Sequence, residues 1–232
     1  MLEPRLDITR LEENVKWAEQ WPVETGKILL YGSSGFARWT DKSFKADEFC
    51  NHEPIEKSIR NSDGSLAIVN NAFGGSSAEE LLYYYNRLVK PYKPKALCVM
   101  VYLNDSSFGY TPMEVMFLYA RLFEWARKDF PGIKIYAFDI HPISLKKMNE
   151  QTTWSSLAKE FNQRLKEYCD KHEDTVFVEH CADPCWYDDP ADVGDFDKVP
   201  ARLFIEDGVH FTPEGYDRYE VFMRNVLKDE LE

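Results

Sequence analysis

The chain has 232 residues, of which 44% are hydrophobic, and a formal net charge of −12 at pH 7. This length suits one compact domain over residues 1–232. The acidic balance argues against a nucleic-acid partner, because it repels phosphate backbones. No apolar run approaches the roughly 20 residues that span a bilayer. The N-terminus shows no signal-peptide core, so we expect a cytoplasmic protein without a membrane partner.

The five cysteines are odd in number and show no close-set framework, which favours reduced thiols. Cys181 and Cys185 form a C-x-x-x-C pair beside His180. A structural zinc site needs four ligands, and no second pair of cysteines completes the set. We therefore expect chance spacing and no metal.

Short apolar runs alternate with amphipathic stretches along the chain. The runs are rich in β-branched and aromatic residues, as expected for strands of a parallel sheet that is covered on both faces. The amphipathic stretches repeat their apolar residues at helical spacing. In chain order, the predicted elements are a helix around 8–20, a strand over 27–31 (KILLY), a strand over 65–70 (SLAIVN), a helix with Leu81, Leu82, Tyr85, Leu88 and Val89 on one face, a strand over 96–103 (ALCVMVYL), a helix with Val115, Leu118, Leu122 and Trp125 on one face, a strand over 133–140 (IKIYAFDI), a helix with Leu157, Phe161, Leu165 and Tyr168 on one face, a strand over 175–179 (TVFVE) and a helix over roughly 213–228.

This alternation predicts an α/β domain with a five-stranded parallel sheet. The last helix carries a clear start signal. Thr212 is a good N-cap, Pro213 suits the first helical position and Glu214 complements the helix dipole. In such sheets, ligands bind outside the carboxyl ends of the strands. A site is therefore expected among the residues that follow each strand.

Gly32-Ser33-Ser34-Gly35 follows the first predicted strand. The stretch lacks the lysine of a phosphate-binding loop, the G-x-G-x-x-G spacing of a dinucleotide site and the G-x-S-x-G spacing of a nucleophile elbow. Glycine and serine are ordinary turn residues, so the stretch alone indicates either a structural turn or a presented nucleophile. A serine hydroxyl is a weak nucleophile and needs an adjacent base.

Asp207 and His210, just before the last helix, supply a candidate base with a carboxylate partner. Imidazole accepts the serine proton, and the carboxylate fixes the imidazole tautomer. Candidate donors to the oxyanion are the N–H groups of Ser34 and Gly75 and the side-chain amide of Asn104. Each of these has an ordinary structural explanation too: a surface Asp-His pair, a helix capping box after Gly75, and a turn at Asn104.

Four short blocks of the chain resemble, in order and spacing, the signature of the SGNH (GDSL-type) hydrolase superfamily. The resemblance implies a three-layer α/β/α sandwich of the flavodoxin-like type, ester hydrolysis, and neither a metal nor another cofactor. One stretch, "FGGSSAEELLYYYNRLVKPYKPKA", is further similar to the acetylhydrolase-like and acetylxylan-esterase-like branch. The four blocks are Gly32-Ser33-Ser34, Gly75, Asn104-Asp105 and Asp207-Gly208-Val209-His210.

The resemblance also implies a role for each block. Ser34 is expected to be the nucleophile and His210 the base, with Asp207 orienting the imidazole. Gly75 and Asn104 are expected to complete the oxyanion hole with the N–H group of Ser34.

Two positions depart from the pattern of the superfamily. The first block is usually Gly-Asp-Ser, and Ser33 replaces its aspartate. The role of that aspartate is mainly to shape the turn, so Ser34 is still expected to be the nucleophile. The third block is usually Gly-x-Asn-Asp, and Tyr102 replaces its glycine. A bulky ring at Tyr102 is expected to narrow the pocket or to shift the donor at Asn104.

Rival assignments exist for both the nucleophile and the base. Ser33 competes with Ser34, and the register of the motif favours Ser34. His141 also follows a strand and competes with His210, whose local carboxylate favours it, so that His141 is a candidate lining residue of the substrate pocket. Surface placement is expected for the remaining histidines, His52, His172 and His180.

The stretch from Asp183 to Glu206 is expected to be a long irregular loop that runs into the Asp-His block. Loops of this length often act as lids. Trp186, Tyr187 and Phe196 are candidate substrate contacts at the mouth of the site. A solvated loop with chance aromatic residues is the alternative.

The function predicted from these features is that of a serine esterase. It would hydrolyse a small acyl ester, with acetyl expected, of a carbohydrate or a lipid through an acyl-enzyme. One alternative is a protein that binds a glycan or an acyl ligand without turnover. Another is an acyltransferase that uses the same residues. The expected partner is a small-molecule ester, and a homodimer is a further expectation.

Overall fold

Five parallel strands form one sheet in the computed structural model, which describes residues 4–50, 52–100, 103–150 and 152–231. The order of the strands across the sheet is β2-β1-β3-β4-β5. This is the order of flavodoxin-like folds, so the predicted fold is confirmed. The strands are β1 (Ile28–Gly32), β2 (Ile68–Asn70), β3 (Ala96–Met100), β4 (Lys134–Phe138) and β5 (Thr175–Val178).

Helices cover both faces of the sheet, which gives the three layers. Short 3-10 turns follow several of them, among them Lys90–Tyr92 and Lys228–Glu230. No helix among the described residues has the length and apolar character needed to cross a membrane. The helices are α1 (Glu12–Ala18), α2 (Ser34–Ala37), α3 (Ala46–Phe49), α4 (Ile55–Ser58), α5 (Ala78–Leu88), α6 (Leu103–Ser107), α7 (Pro112–Asp129), α8 (Leu145–Glu150), α9 (Thr152–Cys169) and α10 (Pro213–Leu227).

Alternate residues of each strand enter two separate apolar cores. Leu29 and Tyr31 of β1 pack with α1, α5, α7 and α9 on one face. Ile28 and Leu30 pack with α2, α4 and α10 on the other face. Burying a leucine or isoleucine side chain contributes about 1.5–3 kcal/mol. Since both faces are buried, every residue of β1 is apolar or small, and the alternation typical of a half-exposed strand is missing.

Helix starts follow their sequence signals closely. Ser77 and Glu80 form a reciprocal capping box at the start of α5, as the sequence predicts. Thr111 and Glu114 do the same for α7. The predicted N-cap of α10 is confirmed, because the Thr212 hydroxyl accepts the N–H of Gly215 at 3.2 Å.

The segment before α10 is more regular than its sequence suggests, and the expectation of an irregular loop is wrong. It is a series of 3-10 turns between residues 180 and 203. Three of these turns follow an aspartate whose carboxylate accepts the N–H two residues further on. Such side-chain acceptors supply the backbone partners that a longer helix would otherwise provide. The three aspartates are Asp183, Asp189 and Asp195.

Candidate active site

The candidate nucleophile lies where β1 ends and α2 begins. Ser34 is the first residue of α2 and is partly exposed. The turn fits tightly against β3, because the Ser33 N–H donates to Met100 O at 3.1 Å. A Cβ atom at Gly32 would lie 2.2 Å from the same carbonyl oxygen. Only glycine permits this approach, and it sets Ser34 at the carboxyl edge of the sheet.

Ser34, His210 and Asp207 are brought together across 176 residues of chain. The Ser34 hydroxyl donates to His210 Nε2 at 2.9 Å. His210 Nδ1 donates to Asp207 Oδ2 at 2.5 Å. The rival residues do not take part in this chain of hydrogen bonds: Ser34, and not Ser33, meets an imidazole, and that imidazole belongs to His210, not to His141. The arrangement is the one that activates a serine for attack on a carbonyl.

Local backbone contacts hold the Asp207 carboxylate in place. Its Oδ1 accepts the N–H groups of Val209 and His210 at 2.8 and 2.9 Å. Burial alone would raise the pKa of Asp207, but the hydrogen bonds from His210 and from the backbone together lower it. Asp207 is therefore ionised at neutral pH, and its Oδ2 accepts the hydrogen of His210 Nδ1.

The His210 imidazole is kept neutral at neutral pH. Burial lowers the pKa of His210, and the nearby charge of Arg38 lowers it further, while Asp207 acts in the opposite direction. A neutral ring with its hydrogen on Nδ1 leaves the Nε2 lone pair free to take the Ser34 proton. The ring can therefore act as a general base without first losing a proton.

Two backbone N–H groups are available beside Ser34 as oxyanion donors. Those of Ser34 and Gly75 have no acceptor within the described parts of the chain. Gly75 adopts a left-handed conformation with φ +79°, which favours glycine. A Cβ placed on its neighbour Gly74 would lie 4.0 Å from Ser34 Cβ, so this loop closely approaches the nucleophile.

Arg10 binds the turn at Gly75, and no local sequence pattern predicts this contact. Its guanidinium donates to Gly75 O at 2.6 Å and to Glu80 Oε2 at 2.8 Å. The Glu80 side chain is buried, and its carboxylate also accepts the N–H and the hydroxyl of Ser77. This contact ties the N-terminal segment to the turn that carries the second candidate donor.

The Asn104 amide lies beside the nucleophile, but both of its hydrogens already have acceptors. Nδ2 donates to Ser33 Oγ at 2.7 Å and to Ser76 O at 2.9 Å. Ser76 in turn donates its hydroxyl to Gly32 O at 3.0 Å. The next residue, Asp105, is buried and accepts the Ala78 N–H at the start of α5. The Asn-Asp block thus joins the turns that follow β1, β2 and β3.

A small cavity of about 20 Å³ adjoins the nucleophile. His141 forms part of its wall, is 4% exposed, and donates Nδ1–H to Pro142 O at 2.7 Å. Burial lowers the pKa of His141 to about 3, with a further contribution from the neighbouring His180. His141 therefore presents a neutral lone pair. The residues around this cavity are Ser33, Ser34, Gly35, Met100, Asn104, Ile140 and His141.

A groove of about 610 Å³ shares Ile140 with this cavity. It lies between α8, α9 and the 3-10 turn at Phe196. The start of α8 is held to the turn between Asp207 and His210, because the Ser144 N–H donates to Gly208 O at 2.8 Å. Apolar and polar side chains share the lining of the groove, and Asn162 Oδ1 accepts the Ile140 N–H at 3.2 Å. The apolar ones include Met148, Ala158 and Phe196, and the polar ones include Asn149, Lys159, Asn162, Asp195 and Asp197.

Several predicted positions are corrected by the structure. Trp186 is completely buried against Phe211 and Tyr219, so it cannot be a substrate contact. Tyr187 is also buried and donates its hydroxyl to Cys181 O. His180 is 0% exposed, so its predicted surface placement is wrong.

Two further predictions concern the mouth of the site. Phe196 lines the larger groove. Tyr102, whose ring is expected to narrow the pocket or to shift the donor at Asn104, lies outside the described residues.

Comparison with known protein families gives one match. The model described as "GDSL-like Lipase/Acylhydrolase family" matches residues 32–218, which include Ser34, Asp207 and His210. Comparison with curated proteins finds no match.

Solved structures similar to this chain include three bacterial proteins. A GDSL-like lipase from Bacteroides thetaiotaomicron is 16% identical, with a TM-score of 0.70, and the match covers 97% of this chain and 100% of that chain. A protein from Bacteroides fragilis described as an acylhydrolase is 18% identical, with a TM-score of 0.69 and coverage of 98% and 100%. A variant of an acetyl-xylooligosaccharide esterase from Geobacillus is 16% identical, with a TM-score of 0.62 and coverage of 88% and 95%. At these identities the likeness shows the shared fold.

Proposed function

Because the chain belongs to the GDSL-like lipase/acylhydrolase family, we propose that it is a serine esterase that removes acetyl groups from a carbohydrate ester. The observation that carries the proposal is the continuous hydrogen-bonded chain from Ser34 through His210 to Asp207. Family membership supports ester hydrolysis in general. The shape and lining of the site support the choice of acyl group and alcohol.

In the first half of the reaction, Ser34 Oγ attacks the ester carbonyl carbon while His210 Nε2 takes its proton. Asp207 stabilises the imidazolium that forms. The carbonyl oxygen becomes an oxyanion, which accepts the N–H groups of Ser34 and Gly75. The tetrahedral intermediate then collapses, His210 returns the proton to the leaving alcohol, and the acyl group stays on Ser34.

In the second half, the same groups act on water. His210 takes a proton from a water molecule, which attacks the acyl carbon of the ester on Ser34. The second tetrahedral intermediate uses the same oxyanion donors. His210 then protonates Ser34 Oγ, and the free acid leaves. Each half needs His210 first as a base and then as an acid, which a ring with a lowered pKa can do at neutral pH.

The size of the cavity beside Ser34 supports an acetyl group. Its volume of about 20 Å³ holds about one water-sized group. Met100, Ile140 and His141 close it, and all three are buried and packed. Forcing extra methylenes into such a site costs about 1–3 kcal/mol. Longer acyl chains are therefore expected to react more slowly.

The groove beyond Ile140 supports a carbohydrate as the alcohol. Its amide, ammonium and carboxylate groups can pair with sugar hydroxyls, and the Phe196 ring offers an apolar face. A lipid tail lying over these polar groups would displace water from them without replacing its hydrogen bonds, which is unfavourable. The groove thus favours the sugar over the lipid among the two predicted alcohols.

Labelling with a fluorophosphonate tests the nucleophile. The probe should add to wild-type protein at Ser34, as located by peptide mapping, and should not add to Ser34→Ala. An adduct on Ser33, or labelling that persists in Ser34→Ala, would contradict the assignment. Hydrolysis of p-nitrophenyl acetate by wild type but not by Ser34→Ala separates an esterase from a binding protein, and product analysis separates hydrolysis from acyl transfer.

A series of p-nitrophenyl esters tests the acyl group. We expect kcat/KM to fall about tenfold or more from acetate to butyrate, because the overpacking cost is 1–3 kcal/mol. Ile140→Ala opens the wall between cavity and groove and should reduce this preference. A rising kcat/KM with chain length in the wild type would contradict the acetyl assignment.

An acetylated oligosaccharide tests the groove. Asp197→Ala should lower kcat/KM for that substrate about tenfold, the loss of one hydrogen bond to a charged group, and should leave p-nitrophenyl acetate unaffected. Equal effects on both substrates would place the sugar elsewhere.

A further inference from the structure

Ser33, the residue before the nucleophile, has a hydroxyl whose hydrogen is uncommitted. Its side chain is 7% exposed and lines the small cavity together with Ser34. Although Ser33 occupies the N-cap position of α2, its side chain makes no capping hydrogen bond. Within the described residues its Oγ accepts one hydrogen bond, from Asn104, and donates none. The Ser33 hydroxyl is therefore available to donate a hydrogen bond to a group bound in the cavity.

Asn104 lines the cavity, but both hydrogens of its amide are already engaged. A primary amide nitrogen carries two hydrogens. In Asn104 one goes to Ser33 Oγ at 2.7 Å and the other to Ser76 O at 2.9 Å. Direct donation from Asn104 to an oxyanion would therefore require one of these bonds to break during the reaction. The shorter bond, to Ser33, lies on the cavity side.

We propose that Ser33 is a catalytic residue whose hydroxyl donates to the oxyanion, with the Asn104 amide behind it. Asn104 holds Ser33 Oγ as an acceptor, which leaves the Ser33 hydrogen to point at the developing charge. A hydrogen bond accepted by a hydroxyl also strengthens the bond that it donates. The oxyanion would then accept from Ser34 N–H, Gly75 N–H and Ser33 O–H. This inference rests on the proposed esterase function.

The Gly-Asp-Ser pattern has an aspartate where this chain has Ser33, and only the serine can donate a hydrogen bond to the oxyanion. An ionised carboxylate at position 33 could accept the Asn104 hydrogen but would have none to donate. A serine accepts and donates at once. The replacement also removes a negative charge that would stand beside a negatively charged transition state. Serine at this position therefore adds a donor and removes a repulsion.

The experiment compares Ser33→Ala with Asn104→Ala in the full chain, with p-nitrophenyl acetate as the substrate. Removing one oxyanion donor lowers kcat about 100-fold or more, and we expect this for Ser33→Ala with little change in KM. Asn104→Ala leaves the Ser33 hydroxyl in the cavity, so its kcat should fall only about tenfold. The opposite ranking, with Asn104→Ala the slower variant, would overturn the proposal in favour of direct donation by the amide.

Two further measurements separate donation from a structural role. The ratio of the rates for an oxo-ester and its thiono analogue reports on the hydrogen bonds to the carbonyl atom, because sulfur is a weak acceptor. Ser33→Ala should lower this ratio, whereas a variant that is merely misfolded in part would lower both rates alike and leave the ratio unchanged. Ser33→Asp, assayed at pH 8, keeps the acceptor for Asn104 but cannot donate and adds a negative charge, so it should lose at least as much activity as Ser33→Ala.

The outcomes distinguish this proposal from the esterase assignment. Wild-type activity that disappears in Ser34→Ala supports the esterase in every case. Ser33→Ala or Ser33→Asp with a kcat within threefold of wild type would then overturn the role of Ser33 alone. A wild type that hydrolyses no ester would overturn both.

Discussion

Two carboxylate–imidazole pairs in this molecule share one geometry and differ in everything around it. Asp207 and His210 meet at 2.5 Å through Nδ1, and so do Asp139 and His180. The other ring nitrogen makes the difference. In His210 it accepts the Ser34 hydroxyl beside an open cavity, whereas in His180 it meets the Tyr219 hydroxyl at 3.1 Å inside the core.

A carboxylate–imidazole pair is therefore not by itself the signature of a functional site. His180 is 0% exposed and stacks on Phe222 with ring centroids 4.8 Å apart. Both of its ring nitrogens have partners, so neither is left for a substrate or for the neighbouring thiols. Asp139 also accepts the His180 backbone N–H at 3.1 Å, and the pair thereby joins the end of β4 to the following segment and to α10. Access to a cavity is what the proposed catalytic pair has and the second pair lacks, since the second pair is enclosed in the core.

Asp207→Asn should have the largest effect, and it should be on activity. An amide cannot hold the imidazole in the required tautomer, and it does not stabilise the imidazolium. We expect kcat for p-nitrophenyl acetate to fall about 10⁴-fold. The Asp207 side chain is 40% exposed, so the free energy of unfolding should change by less than about 1 kcal/mol. Denaturant titration of the same preparation checks the second statement, and a kcat within tenfold of wild type would contradict the first.

Asp139→Asn is the matched substitution in the other pair, and its effect should be on stability. It replaces the buried carboxyl group whose Oδ1 accepts two hydrogen bonds from His180, and we expect the free energy of unfolding to fall by about 3 kcal/mol. The kcat per folded molecule, measured at a temperature well below the transition, should stay within about threefold of wild type. If Asp139→Asn lost activity as Asp207→Asn does, without loss of stability, the contrast between the two pairs would be wrong.

The features that the sequence predicts well depend on neighbours in the chain. Each of the five strands appears where an apolar run predicts it, because burial on both faces leaves an unbroken run. The Asp207–His210 pair can be predicted because its members are three residues apart and a turn brings them together. The Thr212 cap can be predicted because its signal also lies in adjacent residues.

The features that escaped prediction depend on distant contacts. His180 and Trp186 lie in a polar-looking stretch, yet both are fully buried, because α10 and the end of β4 cover the 3-10 turns. The partner of His180, Asp139, is 41 residues away. Arg10 reaches Gly75 across 65 residues, and nothing in its local sequence marks it. No local pattern encodes such pairs, since only the packed sheet brings them together.

His141 lies between the two pairs and supports a prediction about pH. Burial, followed by an electrostatic contribution from the neighbouring His180, lowers the pKa of His141 to about 3. In the unfolded chain a histidine has a pKa of about 6.5. Between these values the unfolded state binds a proton that the folded state does not, so stability falls as the pH falls below about 6.5. The slope for one such group is about 1.4 kcal/mol per pH unit.

His141→Gln removes this titration and leaves the two pairs in place. Between pH 6.5 and pH 4.5, the free energy of unfolding of the wild type should fall by about 2 kcal/mol more than that of the variant. The lowered pKa of His210 acts in the same direction, but it is common to both proteins and cancels in the difference. Denaturant titrations at four or five pH values provide the measurement. Parallel curves for the two proteins would mean that His141 is protonated within the fold, and that the wall of the small cavity carries a charge beside His210.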